Sequence, residues 1–175
     1  MKDIATVDAS QEDMAADDVN QYLTFVLGGE NYGVSILVIK EILEYHEPTT
    51  VPMMPDFIRG VINLRGSVVP VVDLSLRLGK AGTEVAKRTC VVIIEIQHED
   101  ERMEIGVVVD AVNEVLDIPP ENIEAAPNFG AKIRTDFING MGKVDEKFVV
   151  LLNIDHVLSI EELSMVGEVA APSTL

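Results

Sequence analysis

Short apolar runs recur along the middle of the chain and are separated by glycines or charged residues. They are rich in Val, Ile and Leu, which is typical of β-strands because β-branched side chains pack well on a pleated surface. The pattern therefore predicts an all-β fold. The predicted strands span 22–27, 60–63, 68–74, 89–96, 105–109 and 148–154.

Turn signals lie between two pairs of these runs. Gly28 and Gly29 follow the first run directly and predict a tight β-hairpin that leads into 32–34. The polar, charged segment 97–102 separates two further apolar runs and predicts a second hairpin. Neighbouring strands are therefore expected to pair in an antiparallel manner.

Helical signals are fewer. Over 35–43 the apolar residues recur at a spacing of three to four, which predicts a helix. Ser159 followed by Glu162 is a capping-box pattern, because the hydroxyl and the carboxylate can each bond a free backbone N–H at a helix start. It predicts a short terminal helix over about 159–165.

The chain contains an internal duplication. The tetrapeptide FIRG at 57–60 recurs as FING at 137–140, 80 positions later. Glycine and phenylalanine positions are harder to match by chance than positions in Val-rich strands. The other matches are 69–74 with 149–154 at the same spacing, and 33–34 and 38–42 with 106–107 and 111–115 at a spacing of 73.

A repeated unit of this size with about five short strands fits a small closed barrel, since closure removes exposed sheet edges. We expect two such β-barrel subdomains that pack face to face. By sequence position, the first barrel would span about 19–85 and the second about 86–158.

The composition is consistent with this core and excludes two classes of partner. Hydrophobic residues make up 47% of the chain but aromatic residues only 5%, so the core must consist mainly of Val, Ile and Leu. There are 13 Lys and Arg against 30 Asp and Glu, and a net charge of -17 repels phosphates and anionic lipid headgroups. We therefore expect no nucleic acid partner. We also expect no direct membrane insertion, because no stretch approaches the roughly 18 apolar residues of a span.

The two ends of the chain differ from the middle. Residues 1–18 are acidic and polar and predict a disordered acidic tail, and 166–175 lose periodicity and predict a flexible tail. The N-terminus lacks the pattern of a signal peptide, and the single Cys90 excludes an intramolecular disulfide. These features predict a cytoplasmic protein.

The search for catalytic chemistry yields weak candidates. His46, His98 and His156 lack metal-ligand spacing, and the sequence contains neither a CxxC nor a GxSxG motif, so no cofactor or metal is expected. The acids in apolar surroundings are Asp73, Asp110, Glu41 and Glu114. Strand-end capping or hydrogen bonding would explain Asp73 and its repeat counterpart Asn153. The alternative is a small β-barrel hydrolase or a ligand-binding domain that uses acidic residues.

One basic residue stands out in this acidic chain. Arg65 lies beside Gly66 in a turn between two apolar runs. It is either a solvated hairpin residue or an anchor that contacts a partner, since arginine is enriched at interface hot spots.

The segment 57–74, FIRGVINLRGSVVPVVDL, resembles the CheW-like chemotaxis coupling proteins. The resemblance covers about 21–165, so a CheW-like domain is expected over 19–165, between the two tails. Supporting positions are Phe25, Gly28, Glu30, 32–34, 39–42 and 106–110.

The resemblance implies two SH3-like five-stranded β-barrels and a protein that is an adaptor, not an enzyme. Its partners would be the regulatory domain of a CheA-type histidine kinase and the cytoplasmic tip of methyl-accepting chemoreceptors. Through these partners it would be recruited to receptor arrays at the membrane.

The resemblance also implies the contact residues. In such proteins the receptor helix lies in an apolar groove, and the kinase binds at loop ends of the second barrel. The receptor-binding residues would be Ile39, Glu41, Val61 and Arg65, and the kinase-binding residues Phe129 and Met141.

Overall fold

The structure is a computed structural model that describes residues 20–98, 101–125 and 137–158, with the backbone alone at His98. Its strands are β1 (Gln21–Leu27), β2 (Glu30–Ser35), β3 (Ile39–Glu44), β4 (Ile58–Leu64), β5 (Ser67–Asp73), β6 (Cys90–His98), β7 (Glu101–Val109), β8 (Ala111–Asp117), β9 (Ile123–Glu124), β10 (Ile138–Val144) and β11 (Lys147–Leu152). The helices are short: α1 (Leu74–Arg77), α2 (Ile154–Val157) and 3-10 turns at Ile36–Val38 and Pro120–Asn122. The predicted tails, the predicted helix at 159–165 and Phe129 lie outside the described residues.

The strands form two sheets. One has six strands in the order β8-β1-β2-β11-β10-β9, and the other has five in the order β3-β6-β7-β5-β4. The predicted all-β class with two β subdomains and short helices is confirmed. The sixth strand is β9, which adds only two residues beside β10.

The internal duplication is confirmed strand by strand. β4 and β10 both contain a register shift at their start, between Ile58 and Gly60 and between Ile138 and Gly140. β5 then pairs in parallel with β7, and β11 pairs in parallel with β2. We call β1 to β5 the first repeat and β6 to β11 the second repeat.

Each sheet, however, contains strands of both repeats. The hairpin β1–β2 pairs with β8 and β11 of the second repeat, and the hairpin β6–β7 pairs with β3 and β5 of the first. The predicted division into 19–85 and 86–158 is therefore not how the strands pair. The five-stranded sheet is continuous over 39–109, whereas the six-stranded sheet combines 21–35 with 111–152.

The two predicted hairpins are confirmed by the pairing of β1 with β2 and of β6 with β7. Gly28 and Gly29 form the first turn with φ of 58 and 83, angles that glycine adopts without strain. The predicted helix over 35–43 is wrong. Only Ile36–Val38 form one 3-10 turn, and the chain then extends as β3 because its β-branched residues pair with β6.

The apolar runs are continuous because many strand residues are buried on both faces of a sheet. Val92 and Ile94 face a large core shared by both sheets, whereas Val91 and Ile93 face a smaller cluster inside the five-stranded sheet. Successive side chains of a strand point to opposite faces, so alternate residues enter different cores. In the part of the chain described, the helices are all too short to cross a membrane.

Candidate functional site

β3 and β4 are the two edge strands of the five-stranded sheet, yet a side chain of β3 contacts one in the turn that follows β4. Arg65 Nη2, in the turn after β4, lies 2.7 Å from Glu41 Oε1 and 2.9 Å from Glu41 Oε2, on β3. The sheet is therefore curled so that its two edge strands face each other. We call the gap between β3 and β4 the seam.

The turn geometry explains how Arg65 reaches β3. Arg65 and Gly66 have φ of 52 and 86, and two successive positive φ angles favour a two-residue hairpin turn. The Gly66 N–H donates to Asn63 Oδ1 at 2.9 Å and fixes the turn. The Arg65 side chain is 72% exposed and that of Glu41 26%, so the ion pair lies at the surface.

The other two predicted receptor-binding residues flank the seam on each side. Ile39 begins β3, is partly buried and packs against the shared core. Val61 lies on β4 opposite Pro70, and its N–H and carbonyl both bond to Thr49 of the connection from β3. The structure thus brings Glu41 and Arg65 into contact and places Ile39 and Val61 on the strands that border them.

Apolar surface accompanies the ion pair. A cleft of about 260 Å³ opens between the two strands. By strand alternation Glu41 lies on the same face of β3 as Leu43, which lines the cleft and is partly buried. An apolar cleft next to a polar pair is typical of a partner-binding surface. The cleft is lined by Leu43, Glu44, His46, Ile62, Asn63, Leu64 and Val91.

A second arginine crosses the seam, and sequence reasoning did not single it out. Arg59 on β4 places Nη1 3.1 Å from the Tyr45 hydroxyl, at the end of β3, and Nη2 2.8 Å from Asp73. It also donates to the backbone carbonyl of Thr83. Burial alone would lower the pKa of Arg59, but the hydrogen bonds and charges of Asp73 and Tyr45 outweigh burial and raise it. The sequence signal that could have identified Arg59 is its replacement by Asn139 in the otherwise matching tetrapeptide of the second repeat.

Two of the candidate acids, Asp73 and Asp110, form structural hydrogen bonds. Asp73 is buried, caps α1 by accepting from the Leu76 N–H at 3.1 Å, and pairs with Arg59. Asp110 accepts from the Gly28 N–H and from the Thr83 hydroxyl, each at 2.8 Å. The capping role expected for Asp73 is confirmed.

The residues that the structure describes contain no group of three or more His, Cys, Asp or Glu side chains that could bind a metal ion. His46 is exposed beside the cleft, and His156 is exposed in α2 with Nδ1 2.9 Å from Asn153 Nδ2.

One predicted kinase-binding residue can be placed. Met141 lies on β10, between Val150 of β11 and Glu124 of β9, and is partly buried. It occupies in β10 the position that Val61 occupies in β4. Met141 therefore lies in the six-stranded sheet, whereas the four predicted receptor-binding residues lie in the five-stranded sheet or its turn.

The second repeat lacks the charge arrangement of the seam. At the repeat spacings of 73 and 80, Glu114 corresponds to Glu41 and Asp145 to Arg65. Both acids line one cleft of about 450 Å³, together with Arg88 and Lys147. Two carboxylates cannot form the ion pair of the first repeat, so the two repeats present chemically different surfaces.

Comparison with known proteins gives consistent results. A family model described as the CheW-like domain matches residues 21–162. The chain is 37% identical over 163 residues to the chemotaxis protein CheW of Klebsiella aerogenes, covering 93% of this chain and 96% of that protein. It is 34% identical over 140 residues to the chemotaxis protein CheW of Bacillus subtilis, covering 79% and 86%.

A solved structure agrees with these relatives. The crystal structure of the scaffolding protein TtCheW from Thermoanaerobacter tengcongensis superposes with a TM-score of 0.70 at 33% identity. The superposition covers 79% of this chain and 86% of that one.

Proposed function

This chain belongs to the family of CheW-like domains, which are chemotaxis scaffold proteins and not enzymes, and we propose that it couples chemoreceptors to a histidine kinase. The receptor partner would be the cytoplasmic tip of methyl-accepting chemoreceptors. The kinase partner would be the regulatory domain of a CheA-type kinase.

The seam is the proposed receptor-binding surface, with Ile39 and Glu41 on one side and Val61 and Arg65 on the other. The observation that carries this proposal is the exposed ion pair of Arg65 and Glu41 next to the apolar cleft between β3 and β4. An exposed ion pair contributes only about 0 to 1 kcal/mol to folding. Its charges are therefore available to a receptor helix at little cost in stability.

The proposed kinase-binding surface lies on the second repeat and includes Phe129 and Met141. Its support is that Met141 and the seam lie in different sheets, so that two partners need not compete. A rigid protein that binds two partners at once raises their effective concentration without strengthening either contact.

Coupling follows from this arrangement. If the receptor state changes the affinity of the chain for the kinase, kinase binding changes the affinity for that receptor state by the same factor. Such coupling needs about 1 to 3 kcal/mol. The proposal includes a cytoplasmic location at membrane receptor arrays, reached through the partners alone.

The test is a pair of calorimetric titrations of the purified chain, one with a receptor cytoplasmic fragment and one with the kinase regulatory domain. The proposal requires saturable one-to-one binding in both. Absence of binding to either partner, with the other intact as a control for folding, would contradict it.

A further inference from the structure

Arg59 occupies a place in the seam that goes beyond fold stability, and we infer that it is a positioning residue for receptor binding. It holds the end of β3 against β4, and so sets the distance between the two strands that border the seam. This inference rests on the proposed receptor-binding role of the seam.

The guanidinium of Arg59 joins segments that the backbone leaves separate. Its carbon lies 5.6 Å from the centroid of the Tyr45 ring, in addition to the hydrogen bond with the Tyr45 hydroxyl. On its other side it binds Asp73 at the end of β5 and the carbonyl of Thr83. A planar guanidinium can bond several acceptors at fixed angles, whereas an ammonium group acts as a point charge.

β3 needs such a contact because its backbone ladder runs to one side only. Within the residues that the structure covers, β3 pairs with β6 and with no other strand. Two side-chain contacts link β3 to β4. The exposed pair of Arg65 and Glu41 lies at the C-terminal end of β4. The partly buried contact of Arg59 with Tyr45 lies at the N-terminal end of β4.

The second repeat has different residues at the positions of Arg59, Asp73 and Tyr45 and therefore serves as an internal comparison. Asn139 stands at the position of Arg59, Asn153 at that of Asp73, and Ile118 at that of Tyr45. Ile118 is fully buried and packs with Val149 and Leu151. Asn153 caps α2 as Asp73 caps α1. The fold therefore forms this junction without an arginine or an aspartate.

Stability alone gives a weak reason for the ion pair in the first repeat. Replacing a buried ion pair by well-packed hydrophobic residues is often neutral or stabilising, whereas removing one partner alone is costly. The charges are found in the repeat whose two edge strands carry the proposed receptor contacts. We therefore assign the role of Arg59 to the geometry of the seam.

The experiment gives two of these three positions in the first repeat the residues of the second and leaves Tyr45 in place. In the double variant Arg59→Asn with Asp73→Asn both charges disappear together, and the asparagine introduced by the second substitution would still cap α1. Calorimetry measures its affinity for a receptor cytoplasmic fragment and, separately, for the kinase regulatory domain. We expect the receptor affinity to fall at least about fivefold while the kinase affinity changes by less than about twofold.

A single-atom variant guards against misfolding of the double variant. Tyr45→Phe retains the ring over Arg59 and removes only the hydroxyl. We expect a smaller decrease in receptor affinity with an unchanged thermal midpoint. Arg59→Lys, which retains the charge next to Asp73 but not the fork geometry, should give an intermediate receptor affinity.

The outcomes separate this inference from the proposed function. Unchanged receptor affinity in the double variant and in Tyr45→Phe would overturn the inference while the proposed function stands. Equal losses for receptor and kinase would also overturn it, because they indicate a general structural role. If the wild-type chain does not bind the receptor fragment, the proposed function fails and the inference fails with it.

Discussion

Arg77 donates a hydrogen bond from Nε to the backbone carbonyl of Val157 at 2.7 Å, and these two residues are counterparts 80 positions apart in the two repeats. The Arg77 guanidinium also lies 5.2 Å from the ring centroid of Phe57 and 4.9 Å from that of Phe137, a second pair of counterparts. A residue that contacts its own counterpart must lie near the axis that relates the repeats. Arg77 therefore marks the centre of the duplicated fold.

Arg77→Ala should destabilise the whole fold. It removes a charged hydrogen bond and two cation–π contacts, which together contribute about 2 to 4 kcal/mol. Urea unfolding followed by circular dichroism would measure the loss. An unchanged midpoint would show that the junction of the repeats does not depend on this side chain.

Arg65→His should weaken receptor binding with little effect on folding. The Arg65 side chain is largely exposed, so its removal should cost at most about 1 kcal/mol of stability. A partner-facing arginine at a hot spot would cost at least about tenfold in receptor affinity.

Calorimetric titration with a receptor fragment measures this loss, and Lys147→Ala is the matched control. Lys147 is also a basic residue beside a two-residue turn, but in the second repeat. Equal receptor affinity for Arg65→His and wild type would contradict the assignment of the seam, as would a large decrease in thermal midpoint.

Gly60→Ala should strongly destabilise the fold. Gly60 has φ of 147, and a Cβ there would lie 2.8 Å from the carbonyl carbon of Thr49, whose backbone pairs with Val61. The atoms that this Cβ would meet belong to the Thr49 backbone and the Pro48 ring, which have no flexible end that could move aside. We therefore expect a loss of about 3 kcal/mol or more.

Gly66→Ala is the comparison for Gly60→Ala. Gly66 also has a positive φ, but a Cβ there meets nothing within 4 Å. Its cost should therefore be the backbone strain alone, about 1 to 2 kcal/mol. Thermal unfolding of both variants would test this, and equal midpoints would contradict the role of close packing at Gly60.

Lys80 should contribute to stability up to alkaline pH. Its ammonium lies 2.8 Å from Glu30 and 5.1 Å from the centroid of Tyr32, and thereby ties the β1–β2 hairpin to the connection after α1. Burial alone would lower the pKa of Lys80, but the contacts with Glu30 and Tyr32 raise it above the ordinary 10.5.

A pKa that is raised in the folded state contributes stability that is complete below the unfolded value and is lost as the pH rises through the folded value. We therefore expect wild-type stability to decline above pH 10.5 more steeply than that of Lys80→Gln. Burial also raises the pKa of Tyr22, which acts in the same direction in both proteins and cancels in the comparison. Parallel pH profiles would refute a role for Lys80.

The sequence revealed the duplication because glycine is required at equivalent places. A Cβ on Gly140 would lie 2.7 Å from Ile123 Cγ2, and Gly60 is closely approached by Thr49. Such constraints persist while strand residues exchange among Val, Ile and Leu. The repeats were therefore visible at 57–60 and 137–140 without a second sequence.

The sequence did not predict that each sheet combines strands of both repeats. The hairpin β1–β2 pairs with β8 and β11, which are the counterparts of β3 and β5, and the sequence pattern does not distinguish these two pairs of strands. The apolar spacing over 35–43 was likewise ambiguous, and long-range pairing with β6 decided it in favour of a strand.

The site was predicted in part. Glu41 and Arg65 were named from a resemblance, and the structure joins them in an ion pair. Arg59 was missed because an arginine that follows two apolar residues looks like ordinary strand surface. Its partners Tyr45, Asp73 and Thr83 are 14 to 24 positions away, and only the fold brings them together.

Simultaneous binding of both partners is the most direct test of the adaptor proposal. An immobilised receptor cytoplasmic fragment is incubated with a fixed amount of kinase regulatory domain and increasing amounts of this chain, and the captured kinase is measured. If the chain is an adaptor, capture requires the chain, rises with its concentration and falls again at large excess, when the two partners occupy separate copies. If the receptor fragment and the kinase domain instead displace each other from the chain, the two surfaces are not separate and the account is contradicted.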